Sequence, residues 1–587
     1  MIYMLKRLGA CIREYKKPSI LTSVTVTFEV IMEVLIPYIT ASLIDDGIKA
    51  GNLPVIVQYG IILVVSAFLV MLFGFLAAKY AAAASAGLAR NLRHDMYYAI
   101  QDYSFTNIDK YSTGGIVTRL TTDVSNVTMA YQMIIRMAVR SPMMLVWSFV
   151  FSARISLKLS LVFVIMIPVL ALALYFIMTK AHPLFKRVFK TYDKLNEVVE
   201  ENLRGIRVVK SFTREETEKE KFGSISDRIY KDFTKAEKIL AFNNPVMQGC
   251  MYATVLIIAW FGAQVIASCG GDGDVVGGLS VGELTSLITY ASQILTSLMM
   301  VSMAFVMITM SKASADRVVE ILDEKSDITN PASPCFEVAD GSVSFENVDF
   351  SYSRTSGKKC LDNINVQVNS GETVGIIGGT GSSKSTFVSL IPRLYDVLGG
   401  SVKVGGKDVR EYDIKTLRDN VAMVLQKNEL FSGTIKENLR WGNPEATDEE
   451  LVRVCRLACA DEFIQTFPDK YDTLIDQGGA NVSGGQKQRL CIARALLKKP
   501  KILILDDSTS AVDTRTDAII RKAFREEIPH TTKFIIAQRI SSVQDADKII
   551  VLDDGKISAC GNHEYLLENS DIYREVYNSQ MKGGKEE

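Results

Sequence analysis

Long apolar runs alternate with charged stretches through the first half of the chain and then cease. Six of these runs approach or exceed the roughly 20 residues that a helix needs to cross a bilayer. They begin at Pro18 (PSILTSVTVTFEVIMEVLIPYITASLI), Val55, Met137, Leu159, Val246 and Glu283. The first is too long for a secretory signal and lacks a small-residue cleavage site, so a retained span is expected. The segments after spans two and four keep a helical rhythm. KTYDKLNEVVEENLRGIRVVKSFTREETEKEKF, from Lys190, sets apolar residues at helical spacing among charges. Spans two to five are therefore predicted to continue as rods beyond the membrane. A polar break, DEKSDITNPASP from Asp323, closes this half.

Past the break the period changes. VSFENVDFSY (from Val343) alternates as a strand does, and SVKVGGKDV (from Ser401) reads as a strand with a tight turn. ETVGIIGGTGSSKSTFVSLI (from Glu372) is an apolar strand, a glycine-rich turn and a helix start. KILILDD (from Lys501) is a buried strand that ends on two acids, Asp506 and Asp507. The pattern predicts an all-α membrane domain of six transmembrane helices over 1–325, a linker over 326–340 and an α/β domain of the P-loop type over 341–587.

Composition fits a membrane half joined to a soluble half. Of 587 residues, 48% are hydrophobic against 22% charged. Lys+Arg and Asp+Glu both number 66, so the basic excess of a nucleic-acid binder is absent and no nucleic-acid partner is expected. Lys6, Arg7, Arg13, Lys16 and Lys17 precede span one, and both long intracellular segments are basic in places. The loop CGGDGDVVGGLS between spans five and six has no Lys or Arg, and the loop after span one has only Lys49, beside Asp45 and Asp46. The positive-inside rule then puts both termini and the two long loops in the cytoplasm. Arg154 and Lys158 are exceptions short enough to snorkel. The nine cysteines show no CxxC spacing; Cys455 and Cys459 share a helix face without a nearby histidine and read as plain thiols.

The phosphate chemistry lies in GGTGSSKS. The backbone N–H groups of Gly378, Gly379, Thr380, Gly381, Ser382 and Ser383 can wrap phosphates, Lys384 can reach the β- and γ-phosphates, and Ser385 can hold Mg²⁺. Thr386 follows on the helix.

NVSGGQKQRL (Asn481–Leu490) stands upstream of KILILDD. With these motifs the chain resembles the ATP-binding cassette (ABC) family over essentially its whole length. Six spans and one cassette look like a half-transporter of the exporter type. The resemblance implies that Ser483, Gly484, Gly485 and Gln486 open a helix facing the γ-phosphate held by the other cassette. It gives Tyr352 the adenine stack, Asp506 the Walker B position, Gln426 the Q-loop and Asp513, in SAVD, the D-loop. Ser385, Gln426 and Asp506 form the implied metal set for Mg²⁺ beside ATP. TGGIVTRLTTDV (from Thr113) and EENLRGIRVVKSF (from Glu200) resemble the two intracellular loops, with short coupling helices at their tips.

Several positions depart from the family. Ser383 replaces the glycine before the lysine, and Val482 the commoner leucine. Asp476-Gln477 stand where the cross-talk loop usually has Gly-Glu. Asp507 replaces the catalytic glutamate and Gln538 the switch histidine. A general base must lie within hydrogen-bond reach of its water, and a displacement of about 1 Å can cost on the order of 100-fold. This joint loss beside an intact signature resembles the degenerate subunit of a heterodimeric multidrug-type exporter. Asp507, Gln538 and Gln426 would then form a slow site, with fast hydrolysis completed by a second half-transporter chain. The implied activity is ATP-driven export of drugs, lipids or other amphipathic molecules across the plasma (cytoplasmic) membrane. A homodimeric lipid or peptide exporter and a nucleotide-gated channel or regulatory subunit remain as alternatives; six spans disfavour a soluble mechanical ATPase. With span one beginning by Pro18, no N-terminal peptidase domain is expected.

Glu29 and Glu33 share one face of span one, and Arg136 and Arg140 one face of span three. Charges at membrane depth face a cavity or a partner. They read either as a polar wall for an amphipathic or cationic cargo or as ion pairs between helices. Met299, Met300, Met303, Met307 and Met310 in span six suit an adaptable pocket or ordinary packing.

Overall fold

The structure is a computed structural model that describes residues 2–268, 278–352, 359–507 and 512–583. The loop free of Lys and Arg between spans five and six lies mostly outside the described residues, as do positions 510 and 511 of SAVD. The chain divides into two compact units. One comprises Met1–Gln101 and Thr113–Glu324, the other Asp102–Ser112 and Lys325–Glu587.

The first unit is helical. Among the described residues six helices are long and apolar enough to cross a membrane: Arg13–Lys49, Leu53–Gln101, Thr113–Ile155, Leu157–Arg204, Glu215–Ser268 and Val281–Asp323. The 48-residue helix Leu157–Arg204 rises roughly 72 Å at about 1.5 Å per residue. A hydrocarbon core of about 30 Å cannot hold all of it, so the rods continue beyond the membrane as the helical rhythm predicts. Small residues let the helices approach: Ala77, Ala81 and Ala84 of span two are fully buried. Val26, Val30 and Val34 pack with Ala77, Met144 and Tyr290 in one apolar cluster. The buried Tyr290 hydroxyl donates to the Val34 carbonyl at 2.9 Å. Spans one and three run parallel, since Ser19 meets Tyr131 and Ser23 meets the Ile135 carbonyl further along both helices.

The second unit is built on a six-stranded sheet. Its order is Lys556–Gly561, Lys548–Asp553, Thr373–Gly378, Thr532–Ile536, Ile502–Asp506 and Val421–Val424. All pairings are parallel except that of Lys556–Gly561, an antiparallel edge. The apolar run 502–505 is explained by burial on both faces, as parallel strands require. Ile502 and Ile504 enter one core with Phe345 and Phe387, while Leu503 and Leu505 enter the other with Leu490 and Ile492. A four-stranded antiparallel sheet, in the order Leu361–Val368, Val343–Phe350, Gly399–Val404, Lys407–Asp408, covers the first of these cores. Stacking of Phe345 on Phe387, with centroids 4.2 Å apart, ties it to the P-loop helix.

The short segment that joins the second unit differs from the sequence expectation. The helix there is Phe105–Lys110, ahead of the quoted TGGIVTRLTTDV stretch, whose helix Thr113–Thr118 belongs to the first unit. Ser104 caps Phe105–Lys110 through a capping box with Asn107. The Tyr395 hydroxyl donates to Asp109 at 2.7 Å, and the Tyr395 ring meets Phe105 edge-on. In the second long charged segment a short helix, Ile206–Ser211, falls within EENLRGIRVVKSF.

Candidate functional site

Parallel strands deliver their carboxyl ends to one edge of a sheet, where ligands of such folds bind. In register, Ile536 lies opposite both Ile376 and Asp506. The turns after Gly378, Asp506 and Ile536 therefore emerge together, and they carry the P-loop, Asp507 and Gln538. Val424 pairs with Leu505 and leads to Gln426 in the same way.

The P-loop closes on its own lysine. Lys384 Nζ donates to the carbonyls of Gly378 at 2.9 Å and Gly379 at 2.8 Å, and to Ser382 Oγ at 3.3 Å. Burial holds its ammonium below the usual lysine range, while Asp506 and Asp507 pull it up. Gly378 is required by packing: a Cβ there would lie 2.2 Å from the Leu552 carbonyl oxygen. Gly381 has φ +87°. Ser383, where the family has glycine, also adopts a left-handed backbone, φ +69° and ψ +27°. That conformation costs a residue with a Cβ about 1–2 kcal/mol, so the departure keeps the loop shape at some strain. Around Gly379 and Gly381 a Cβ would meet nothing within 4 Å. Open space beside a ring of backbone amides is what a phosphate chain needs.

Ser385 Oγ donates to Asp506 Oδ1 at 3.0 Å. A hydroxyl and a carboxylate so placed are hard oxygen ligands suited to Mg²⁺. Burial pushes the Asp506 carboxyl up, against the hydrogen bond from Ser385. These residues fit MgATP: Lys384 and the loop amides would hold phosphates, with Ser385, Asp506 and Gln426 beside the metal. A Mg²⁺ held there would neutralise phosphate charge. Thr386 Oγ1 lies 3.0 Å from the Tyr352 hydroxyl, and the Tyr352 ring is half exposed and packs edge-on against Phe350 and Tyr395.

The two departures meet. Gln538 Nε2 donates to Asp507 Oδ2 at 2.7 Å. Asp507 has φ +49°, and its amide donates to the Ile536 carbonyl at 3.2 Å. Burial pushes its carboxyl up, opposed by hydrogen bonds with Gln538 and Gln426. Gln538 thus orients the acid as a neutral donor, and it cannot take the charge of an imidazolium.

Ser483, Gly484, Gly485 and Gln486 stand apart from this cluster. Ser483 caps the helix Gly484–Leu497 in a capping box with Gln486. Ser483 and Gly484 are exposed, and among the described residues no hydrogen bond joins them to the P-loop. An exposed helix N-terminus of this kind carries partial positive charge and favours an anion. Asn481 links the cross-talk turn to this helix, accepting from the Asp476 amide at 3.0 Å and donating to the Leu474 carbonyl at 2.8 Å. Asp513 caps the following helix, accepting from the Thr516 amide at 2.9 Å.

Two contributors escaped the sequence reading. Gln488 is buried and donates to the Asp507 carbonyl at 3.3 Å. Gln580 clamps the Gln538 turn, donating to the Gln538 carbonyl at 2.8 Å and accepting from the Ile540 amide at 2.9 Å. The QKQRL of the signature helix carried a signal for the first; nothing local marks the second.

In the membrane unit, Arg140 bridges Glu29 and Glu33, the latter at 2.6 Å. Arg136 forms no ion pair among the described residues. Met303 and Met310 are exposed and Met299, Met300 and Met307 partly so. Among the described residues no cluster of His, Cys, Asp and Glu could hold a metal ion by itself.

Residues 20–299 match the family model for an ABC transporter transmembrane region, and residues 361–510 the model for an ABC transporter. An uncharacterized ABC transporter ATP-binding protein of Bacillus subtilis, YfiB, is 34% identical over 94% of each chain. A fatty acid ABC transporter ATP-binding/permease protein of Mycobacterium bovis is 32% identical over 83% of this chain and 75% of its own. The solved structure of a bacterial Atm1-family ABC exporter with ATP bound shares the fold with a TM-score of 0.82 at 24% identity, covering 96% of this chain and 99% of that one.

Proposed function

Because this chain belongs to the ABC transporter family, with a membrane region and an ATPase domain in one polypeptide, we propose that it is the degenerate half of a heterodimeric exporter of amphipathic molecules. The carrying observation is the 2.7 Å bond from Gln538 to Asp507. At the point where a catalytic carboxylate and a switch histidine would work, two shorter or neutral substitutes hold each other. Asp507 falls short of a glutamate by one C–C bond, about 1.5 Å. The site built by Lys384, Ser385, Asp506 and Gln426 keeps its phosphate and metal ligands, so it binds MgATP and hydrolyses it slowly. The exposed N-terminus at Ser483 completes a fast site whose P-loop and glutamate come from a different half-transporter.

Lys and Arg flanking span one and lining the long intracellular segments support cytoplasmic termini, in a cytoplasmic membrane. The fatty acid named for one relative supports only a cargo with a long apolar chain. The test is assembly and turnover of the purified full chain in lipid nanodiscs. Alone it is expected to turn over ATP slowly, and to speed up with a partner chain that carries the glutamate and histidine. A stable homodimer hydrolysing ATP on the order of 1–10 times per second, an ordinary enzyme rate, would favour the homodimeric exporter and overturn this reading.

A further inference from the structure

Glu29 is the fourteenth of the 27 residues in the helix Lys16–Ser42, at the middle of span one. Glu33 lies one turn further on. A single guanidinium serves both acids: one terminal nitrogen of Arg140 reaches Glu29 Oε1 and the other reaches Glu33 Oε2 at 2.6 Å. Two carboxylates and one cation carry a formal charge of −1. The second oxygen of Glu29, Oε2, is buried and has no hydrogen-bond partner among the described residues, and Glu29 as a residue is only 7% exposed. A buried acceptor without a donor is rare and costly.

The cluster is closed behind and open in front. The Glu29 side chain is 9% exposed, whereas those of Glu33 and Arg140 are 28% exposed. Behind Glu29 the wall is bare backbone, for a Cβ on Gly74 would lie 3.4 Å from Glu29 Oε1. Further along the same two helices stand Tyr38, Trp147 and Phe151, with Tyr38 edge-on to Phe151 at 5.8 Å and Trp147 at 6.4 Å from it. Tyr38 follows Glu33 by five residues, about 7.5 Å of helix.

We propose that Glu29 and Glu33, held apart by Arg140, form a subsite for the positively charged head of an amphipathic cargo, a protonated amine. Its N–H groups supply the donors that the acids lack, and its charge brings the cluster to neutrality. Its apolar body lies along the aromatic rings, which also favour a neighbouring cation. An anionic head is disfavoured because both terminal nitrogens of Arg140 are engaged. The subsite rests on the reading of the chain as an exporter.

The probes are three dansyl-labelled twelve-carbon chains ending in an amine, an alcohol or a carboxylate. Binding to the full chain in lipid nanodiscs is followed by dansyl fluorescence. The amine is expected to bind saturably and more tightly than the other two. Glu33→Gln should weaken it about tenfold and Glu29→Gln/Glu33→Gln about a hundredfold, the range for charge-assisted hydrogen bonds. MgATP binding by the same variants should stay unchanged, which shows that they are folded. No saturable amine binding, carboxylate binding as tight as that of the amine, or a double variant within twofold of wild type each overturn the subsite and leave a structural ion pair. Vesicles holding the full complex separate the two ideas. ATP-driven accumulation of the alcohol or carboxylate but not the amine overturns the subsite alone, and accumulation of none overturns the exporter reading with it.

Discussion

Gln538 donates to Asp507 across 2.7 Å, and on the proposed reading these two residues stand in place of a histidine and a glutamate. An amide bonded to a short carboxylate is a stable pair with no proton to give. Asp507→Ala should therefore leave most of the ATP turnover of the assembled transporter. Ser483→Arg, which blocks an exposed helix N-terminus, should nearly abolish it, and Lys384→Ala should fall between. Steady-state hydrolysis by the three variants checks the order; loss with Asp507→Ala and retention with Ser483→Arg would reverse the assignment of the sites.

On the proposed reading, restoring both residues should speed the slow site. Asp507→Glu with Gln538→His returns a general base and its charged neighbour, for a gain of about 10²-fold or more in single-site turnover. Either change alone should do less, since the remaining partner still misplaces the other. The rate is read with Ser483→Arg present, which silences the other site.

Gly378 admits no side chain. Gly378→Ala puts a Cβ 2.2 Å from the Leu552 carbonyl oxygen and 2.6 Å from Ser382 Oγ. Overpacking of this kind costs about 1–3 kcal/mol, and here it falls on the loop that Lys384 closes. The variant should lose fluorescent-nucleotide binding while its membrane helices keep their circular dichroism.

Arg140 holds two acids at membrane depth. Arg140→Leu leaves both unpaired, and breaking such a pair costs about 3–5 kcal/mol. Adding Glu29→Gln and Glu33→Gln removes the stranded charges and should recover most of the loss. Thermal unfolding of the single and triple variants in nanodiscs measures this; equal losses would mean that the ion pairs contribute nothing.

What the sequence made legible was local. The six spans are runs of apolar residues, and the P-loop, signature and acid pair are each contiguous. The parallel sheet then gathers Gly378, Asp506 and Gln538 by register alone. The i,i+4 spacing announced that Glu29 and Glu33 share a face, but their partner is 107 residues from Glu33, and no periodicity links two helices. Ser383 read as a small replacement for glycine; its left-handed backbone emerged only in the fold. Phe105–Lys110 is only six residues long and leaves no periodic trace, and its place depends on Tyr395, 286 residues from Asp109.

That short helix bears on how such a molecule can be taken apart. The ATPase unit is not one stretch of chain, for it borrows Asp102–Ser112 from between two spans. A gene fragment starting at Lys325 would encode a domain with an empty socket. Tyr395 would have lost Asp109 and Phe105, and Asp327 its bond from Ser104. A peptide covering residues 102–112, supplied in trans, is the natural plug. By the same logic, a cassette grafted onto a foreign membrane half meets a stranger's loop at Tyr395. Recombination between transporters would then preserve the socket and its plug as a matched set, though hundreds of nucleotides separate their codons.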